Sequence, residues 1–177
     1  MSEKRTQLVG LDISLTSTGI ATEDGEFNVF TVPAKFNHPQ ARYDYILGEI
    51  FNHVCSESVV AIEGYAFAKQ SSHAHAQGEL GGIVRRYLWQ NQIPFVEIPP
   101  TSLKKFVTGK GNSNKTDMVS SVTLRTGREW TGKGADDRVD AWGLRQMLMV
   151  AYHGRGDYDW HAKNLEALDK LDFTVLG

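Results

Sequence analysis

Cysteine is almost absent from this 177-residue chain. Cys55 stands alone, which excludes an intramolecular disulfide and any cysteine-based zinc cluster. Apolar runs are short, and none approaches the roughly 20 residues a membrane helix needs. Residues 1–7 are polar, so no secretory leader is expected and the expected location is the cytoplasm. Neither sign of charge dominates: 19 Lys and Arg stand against 21 Asp and Glu, a net −2. Internal repeats and low-complexity stretches are also lacking. What is present, 41% hydrophobic and 23% charged residues, is the composition of an ordinary folded domain and excludes a disordered or fibrous chain. The length fits one domain and excludes most large two-lobed enzymes.

The small net charge hides an uneven distribution. Between Lys104 and Arg145 lie nine of the 19 basic residues, among them Lys104, Lys105, Lys110, Lys115, Arg125 and Arg138. Against them stand Asp117, Glu129, Asp136, Asp137 and Asp140. If the last three serve a metal cation, their charge is neutralised locally and the segment becomes an electrostatic footprint for phosphates. The alternative is a solvated surface of mixed charge.

Hydrophobic spacing predicts a mixed α/β order. Gln7 to Ile13 reads as a strand, Ser14 to Gly19 as a polar turn, Ile20 to Thr22 and Phe27 to Val32 as further strands of an antiparallel meander. Pro39 to Ser56 has helical spacing. The β-branched run Ser58 to Ile62 reads as a buried central strand ending at Glu63 and Gly64. A loop with Ser71, Ser72, His73 and His75 is expected next, then a helix over Gln77 to Asn91 with Gly78, Gly81 and Gly82 near its start. Pro94 to Ile98 is the last strand. Helices over Thr101 to Val107, Lys115 to Leu124 and Asp136 to Tyr152 follow, the first two separated by a flexible loop at 109–114. Beyond Gly154 the chain turns polar, and Leu165, Leu168 and Leu171 fit either one small docked helix or a loose tail.

Four acids occupy structural termini. Asp12 ends the first apolar strand, Glu63 ends the fourth, and Asp137 and Asp140, three apart in the first turn of the last helix, share a face. A carboxylate at the end of a buried strand is costly unless compensated. Magnesium, which takes oxygen ligands, would compensate it, and two such ions can activate a water and stabilise the leaving oxygen of a phosphodiester. Each acid also has a plainer reading. Asp12 could bond a turn backbone, Glu63 could pair with an arginine, and Asp136 or Asp137 could cap the helix.

The segments VGLDISLTSTGIA (9–21), VVAIEGYAFAKQ (59–70), VEIPPTSLKKFVTGKGNSNKTDM (96–118) and ADDRVDAWGL (135–144) resemble, in order, the RuvC family of Holliday junction resolvases within the RNase H-like superfamily. The likeness covers about 150 residues. It implies an RNase H-like α/β fold, a five-stranded mixed sheet of three antiparallel strands then two parallel ones, flanked by helices. It also implies a magnesium-dependent homodimeric endonuclease that resolves four-way DNA junctions by paired symmetric nicks, in a bacterial cell or a phage-infected host. Two magnesium ions per site, replaceable by manganese, would be held by Asp12, Glu63, Asp137 and Asp140, with Asp136 an extra acid beside them. Lys115 would act at the scissile phosphate. Lys104, Lys105 and Lys110 would hold the DNA backbone, and Tyr65 and Phe67 would help open the junction centre. The nuclease domain would span 1–153, with 154–177 a polar extension. No membrane and no small-molecule cofactor are implied.

Other readings compete. GLDISLTSTG also suits an actin-like ATPase or phosphotransferase, which needs a second lobe and a second glycine-rich motif. A silent junction-binding protein would gain nothing from carboxylates facing phosphate. An RNase H-like enzyme acting on hybrids or flaps is a further alternative. The helix Gln77 to Asn91 is the expected dimer interface. Trp142 is expected in the core, Trp130 and Trp160 could be partner contacts or anchors, and Arg138 could pair with the aspartates or with DNA.

Overall fold

A computed structural model describes residues 6–22, 27–64 and 72–176. The chain runs β1 (Gln7–Asp12), β2 (Ser17–Ala21), β3 (Phe27–Thr31), α1 (Pro39–Phe51), β4 (Ser58–Glu63), α2 (Ser72–Gln90), β5 (Phe95–Ile98), α3 (Pro100–Thr108), α4 (Lys115–Thr126), α5 (Ala135–His153) and α6 (Ala162–Leu165). The five strands form one sheet in the order β3-β2-β1-β4-β5. β1, β2 and β3 pair antiparallel, while β4 pairs parallel to β1 and β5 parallel to β4. This is the mixed sheet that the sequence leads one to expect.

Strand alternation divides the core into two layers. Leu8, Val59 and Ala61 turn to one face and pack under α3, α4 and α5, with Trp142 and Leu144 of α5 among them. Val9, Leu11, Val60 and Ile62 turn to the other face, under Tyr43, Ile46 and Ile50 of α1 and Leu80, Val84 and Leu88 of α2. Because side chains alternate, Asp12 and Glu63 fall on the α5 face with Leu8 and Ala61.

Two glycines let α5 sit directly on the sheet. A Cβ at Gly10 would stand 2.0 Å from the Ala141 carbonyl oxygen, and one at Gly19 would stand 2.2 Å from the Asp137 carbonyl oxygen. A third glycine, Gly143, receives α3: a Cβ there would meet Leu103 at 2.8 Å and Val107 at 2.9 Å. Backbone-close contact thus holds the helix carrying the acids to the sheet, and the Leu103 and Val107 side chains of the helix carrying Lys104 pack onto it at Gly143.

Three expectations are corrected. β2 begins at Ser17, inside the segment expected as a turn, because its Ser17 and Thr18 pair with Thr31 and Phe30 of β3. α2 begins at Ser72, so His73 and His75 belong to a helix rather than a loop. The stretch 109–114 is bonded, not loose: the Thr108 hydroxyl donates to the Lys104 carbonyl at 2.8 Å and lies 2.6 Å from the Ser113 hydroxyl, which is itself buried and donates to the Lys110 carbonyl. Asn114 then opens α4 with a reciprocal capping box to Asp117. Gly109 and Gly127, both at positive φ, close α3 and α4.

Residues beyond Gly154 pack on the domain. The Asn164 side-chain amide, buried, donates to the Phe106 carbonyl at 2.6 Å, and the Trp160 ring lies 3.9 Å from that of Phe106. Leu165, Leu168 and Leu171 pack half-buried against the same cluster. Trp130 and Trp142 are core residues. Among the described residues no helix is long and apolar enough to cross a membrane.

Candidate active site

The parallel register of β1 and β4 ends with Leu11 beside Ile62, so one further step sets Asp12 beside Glu63 on adjacent strands. Neighbouring strands lie about 4.8 Å apart, and both side chains face α5. The N-terminal turn of α5 arrives over the same strand ends because Gly19, paired with Asp12 across β1 and β2, admits the backbone of Asp137. The result is a cleft of about 390 Å³ lined by Asp12, Glu63, Asp136, Asp137 and Asp140, with Lys104 and Lys115 at its basic side and Ile13, Ser14, Gln77, Pro100 and Met118 completing it. A position at the carboxyl ends of parallel strands is where α/β sheets bind their ligands.

The electrostatics follow from this crowding. Burial, then the charges of Glu63, Asp140, Asp137 and Asp136, push the Asp12 carboxyl well above its ordinary value. Glu63 is raised to about 7, chiefly by burial and then by Asp140, with Lys104 and Lys115 opposing. Asp140 is raised to about 6, again mainly by burial, with Lys115 opposing and Asp136 and Asp137 adding to the rise. Like charges gathered out of water require a cation or protons to coexist.

The three acids of the α5 N-terminus have different surroundings. The Ser17 hydroxyl donates to the Asp137 carboxylate. Lys115 forms an ion pair with Asp136, which lowers the Asp136 carboxyl and raises the Lys115 ammonium, in each case mainly through that hydrogen bond. Asp140, one turn on, lines the same cleft, and its charge bears on Asp12 and Glu63. Arg138, placed between the aspartates in sequence, donates instead to the Thr131 carbonyl at 2.6 Å.

The expected site residues divide accordingly. Asp12, Glu63, Asp137, Asp140, Lys104 and Lys115 come together at one cleft. Lys105 turns from it and pairs with Glu166 of the C-terminal segment at 2.8 Å. Lys110 is exposed on the α3–α4 loop. Tyr65 and Phe67 lie outside the described residues. Two contributors carry no clear signal in the sequence: Ser17, in a segment whose composition favours a turn, and Gln77, whose side-chain amide donates to the carbonyl of Ile13, next to Asp12. Alternation along β2 is the one cue to Ser17, since it shares the face of Gly19.

All the acidic donors are hard carboxylate oxygens, the set a divalent cation such as magnesium takes. Among the described residues no three Asp, Glu, His or Cys side chains stand close enough, as placed, to grip one ion. The acids share a cleft and a field rather than a closed cage. A larger cavity of about 810 Å³ lies at the opposite end of α5, but its Asp157 carboxylate is taken up by Arg145 and Gln146 at 3.2 and 2.8 Å.

A mixed five-stranded sheet with this order, bearing acids at the ends of its central strands and on the helix across them, defines an α/β protein of the RNase H-like class. Comparison with known proteins narrows the class. No family model matches the chain. A crossover junction endodeoxyribonuclease RuvC of Brachyspira hyodysenteriae is 37% identical over 81 residues, 46% of this chain and 49% of that protein. The RuvC of Thermomicrobium roseum is 30% identical over 129 residues, 67% of this chain and 77% of its own length. Among solved structures, Thermus thermophilus RuvC in complex with Holliday junction substrate shares the fold, with a TM-score of 0.63 at 16% identity over 88% of this chain and the whole of that one. The chain belongs to the RuvC family of crossover junction endodeoxyribonucleases. Membership sets aside the actin-like phosphotransferase reading.

Proposed function

We propose that the chain is a structure-selective endonuclease that resolves four-way DNA junctions by paired symmetric nicks, working as a magnesium-dependent homodimer in the cytoplasm. The observation that carries this reading is the meeting of Asp12 and Glu63, on neighbouring parallel strands, with Asp137 and Asp140 on α5 beside Lys104 and Lys115. Asp12, Glu63, Asp137 and Asp140 would hold two divalent cations. Magnesium, or manganese in its place, would supply the Lewis-acid and water-activating chemistry of phosphodiester hydrolysis.

The chain's own groups do the rest. Lys115 and Lys104 draw the scissile phosphate to the cleft mouth and balance the charge it brings. Lys110, exposed on its bonded loop, grips backbone further out. Lys105 reaches DNA only by leaving Glu166. The products expected are a 5′ phosphate and a 3′ hydroxyl. Tyr65 and Phe67 are the candidates for parting the strands at the junction centre. α2 is the candidate dimer face, bearing Trp89 at 74% exposure, and a two-fold pair of sites suits two symmetric strands. In this reading residues 1–153 are the nuclease domain and 154–177 an extension docked on it.

The test is a labelled synthetic four-way junction incubated with the purified protein, with and without magnesium, beside an Asp12→Asn variant. Paired nicks that need the metal and vanish in the variant are expected. Undiminished cutting by the variant would remove this site from the reaction.

A further inference from the structure

Two neighbouring acids at the start of α5 do different work. Asp136 and Asp137 are about 100° apart around the helix, so they face different elements. Asp137 looks toward β2, where Ser17 donates to it; Asp136 looks toward α4, where it pairs with Lys115. Lys115 is the first residue of α4, and its side chain is 77% exposed, whereas Asp136 is 33% exposed. The ammonium therefore stands in solvent at the cleft mouth with one side covered by a carboxylate. That carboxylate takes up a donor of the ammonium for which a phosphate oxygen would compete.

We propose, building on the nuclease reading, that Asp136 is not a metal ligand but a positioning residue for Lys115. It anchors the ammonium at the mouth of the cleft in the DNA-free protein and gives it up to a substrate phosphate. Two features make this a specific arrangement rather than a chance surface pair. Lys115 lines the same cleft as Glu63 and Asp140, so without an anchor at the mouth it would be drawn inward onto the cation-binding acids. Asp137, which lines the same cleft, takes its hydrogen bond from Ser17 of β2, whereas the ion pair with Lys115 is made by Asp136. Asp136 thus keeps the lysine out of the cation positions while leaving it poised over them. Exchange of one oxyanion for another at a mostly exposed ammonium is inexpensive, since such pairs are weak in water.

Two measurements test this on the whole chain. The first titrates Mn2+ alone, followed by electron paramagnetic resonance. Asp136→Asn should leave Mn2+ affinity within about twofold of wild type, while Asp137→Asn lowers it at least about tenfold. The second measures binding of an uncut four-way junction in Ca2+ at fixed ionic strength, in a double-mutant cycle with Lys115→Ala. Asp136→Asn should tighten binding roughly two- to fivefold. That gain should disappear in the Lys115→Ala background and revert in Asp136→Glu, whose carboxylate can restore the pair.

Loss of Mn2+ binding in Asp136→Asn would make Asp136 a ligand and overturn the assignment. Equal tightening with and without Lys115 would reduce Asp136 to one more surface charge, also overturning it. A wild-type protein that binds neither Mn2+ nor the junction would strike at the nuclease reading itself, an outcome distinct from both.

Discussion

Gly19 lies flat against the backbone of Asp137: a Cβ on the glycine would stand 2.2 Å from the Asp137 carbonyl oxygen and 3.3 Å from the Ala141 Cβ. The distance between the sheet and the acidic helix is therefore set by main chain on both sides. Gly10 repeats the contact one turn further along α5, at Ala141 and Arg145. Alanine at Gly10 should destabilise the protein by at least about 2 kcal/mol, since neither the strand nor the helix backbone can yield. Alanine at Gly19 meets helix backbone at a similar distance, so it should cost comparable stability and, because it displaces Asp137 itself, activity as well. Urea denaturation and junction cleavage measure the two effects, and a Gly10→Ala variant within about 0.5 kcal/mol of wild type would show that α5 is free to lift.

Ser17 should matter through Asp137. Groups that orient a metal-binding carboxylate are typically worth about 10- to 100-fold in metal affinity. Ser17→Ala is expected to weaken Mn2+ binding within that range and Ser17→Thr to retain most of it. Calorimetric titration of the metal reads this without DNA, and unchanged affinity in Ser17→Ala would leave the hydroxyl with a packing role alone.

Neutralising single acids should stop the chemistry while leaving the fold. Asp140→Asn and Glu63→Gln each remove an oxygen charge from the shared cleft, and a loss of several kcal/mol of transition-state stabilisation is on the order of a thousandfold in rate. Single-turnover cleavage in magnesium measures it. Both variants should melt at or above the wild-type temperature when no metal is added, because a repulsive buried charge has gone.

The raised carboxyls also fix the pH dependence of stability. Glu63 rises from an ordinary 4.5 to about 7 and Asp140 from 3.8 to about 6, so the folded protein holds these protons more tightly than the unfolded chain. Their contribution is full below the ordinary values and is lost as pH climbs through about 6 and 7. Metal-free protein should therefore melt at progressively lower temperature from about pH 5 to about pH 8. Millimolar magnesium should flatten that decline, and Glu63→Gln should remove part of it. A melting temperature that rises over this window without metal would contradict the crowding described for the cleft.

The lysines should separate in salt titrations of junction binding. Each lysine that ceases to meet a phosphate lowers the slope of log affinity against log salt by about 0.9. Lys104→Ala and Lys115→Ala are expected to show that change. Lys105→Ala should leave the slope near wild type and instead loosen the C-terminal segment, because its ammonium is paired with Glu166 at 2.8 Å. Fluorescence of Trp160, which packs against Phe106 on the helix that carries Lys105, reports the loosening.

The strands and the four central acids are legible in the sequence because their signals are local. A β-branched run such as Ser58 to Ile62 announces a buried strand, and an acid at its end breaks the pattern visibly. Ser17 is hidden because serine and threonine speak for a turn, and only pairing with β3 overrides that preference. The order of 109–114 is hidden for a similar reason. Glycine and asparagine suggest looseness, while the Thr108 and Ser113 hydroxyls that close the loop act through space. Nor can spacing separate Lys104 from Lys105. Adjacent residues on a helix diverge by about 100°, and which one meets the cleft depends on how Gly143 lets α3 settle against α5.

The bond from Asn164 to the Phe106 carbonyl gives the stretch beyond α5 a place in the timetable of folding. A ribosome must release residue 164 before that seam can close, so a nascent polypeptide carries every central acid well before the helix bearing Lys104 is locked from behind. A chain ending just after α5 would keep all four central acids yet lack the buried amide that fastens Phe106 from behind.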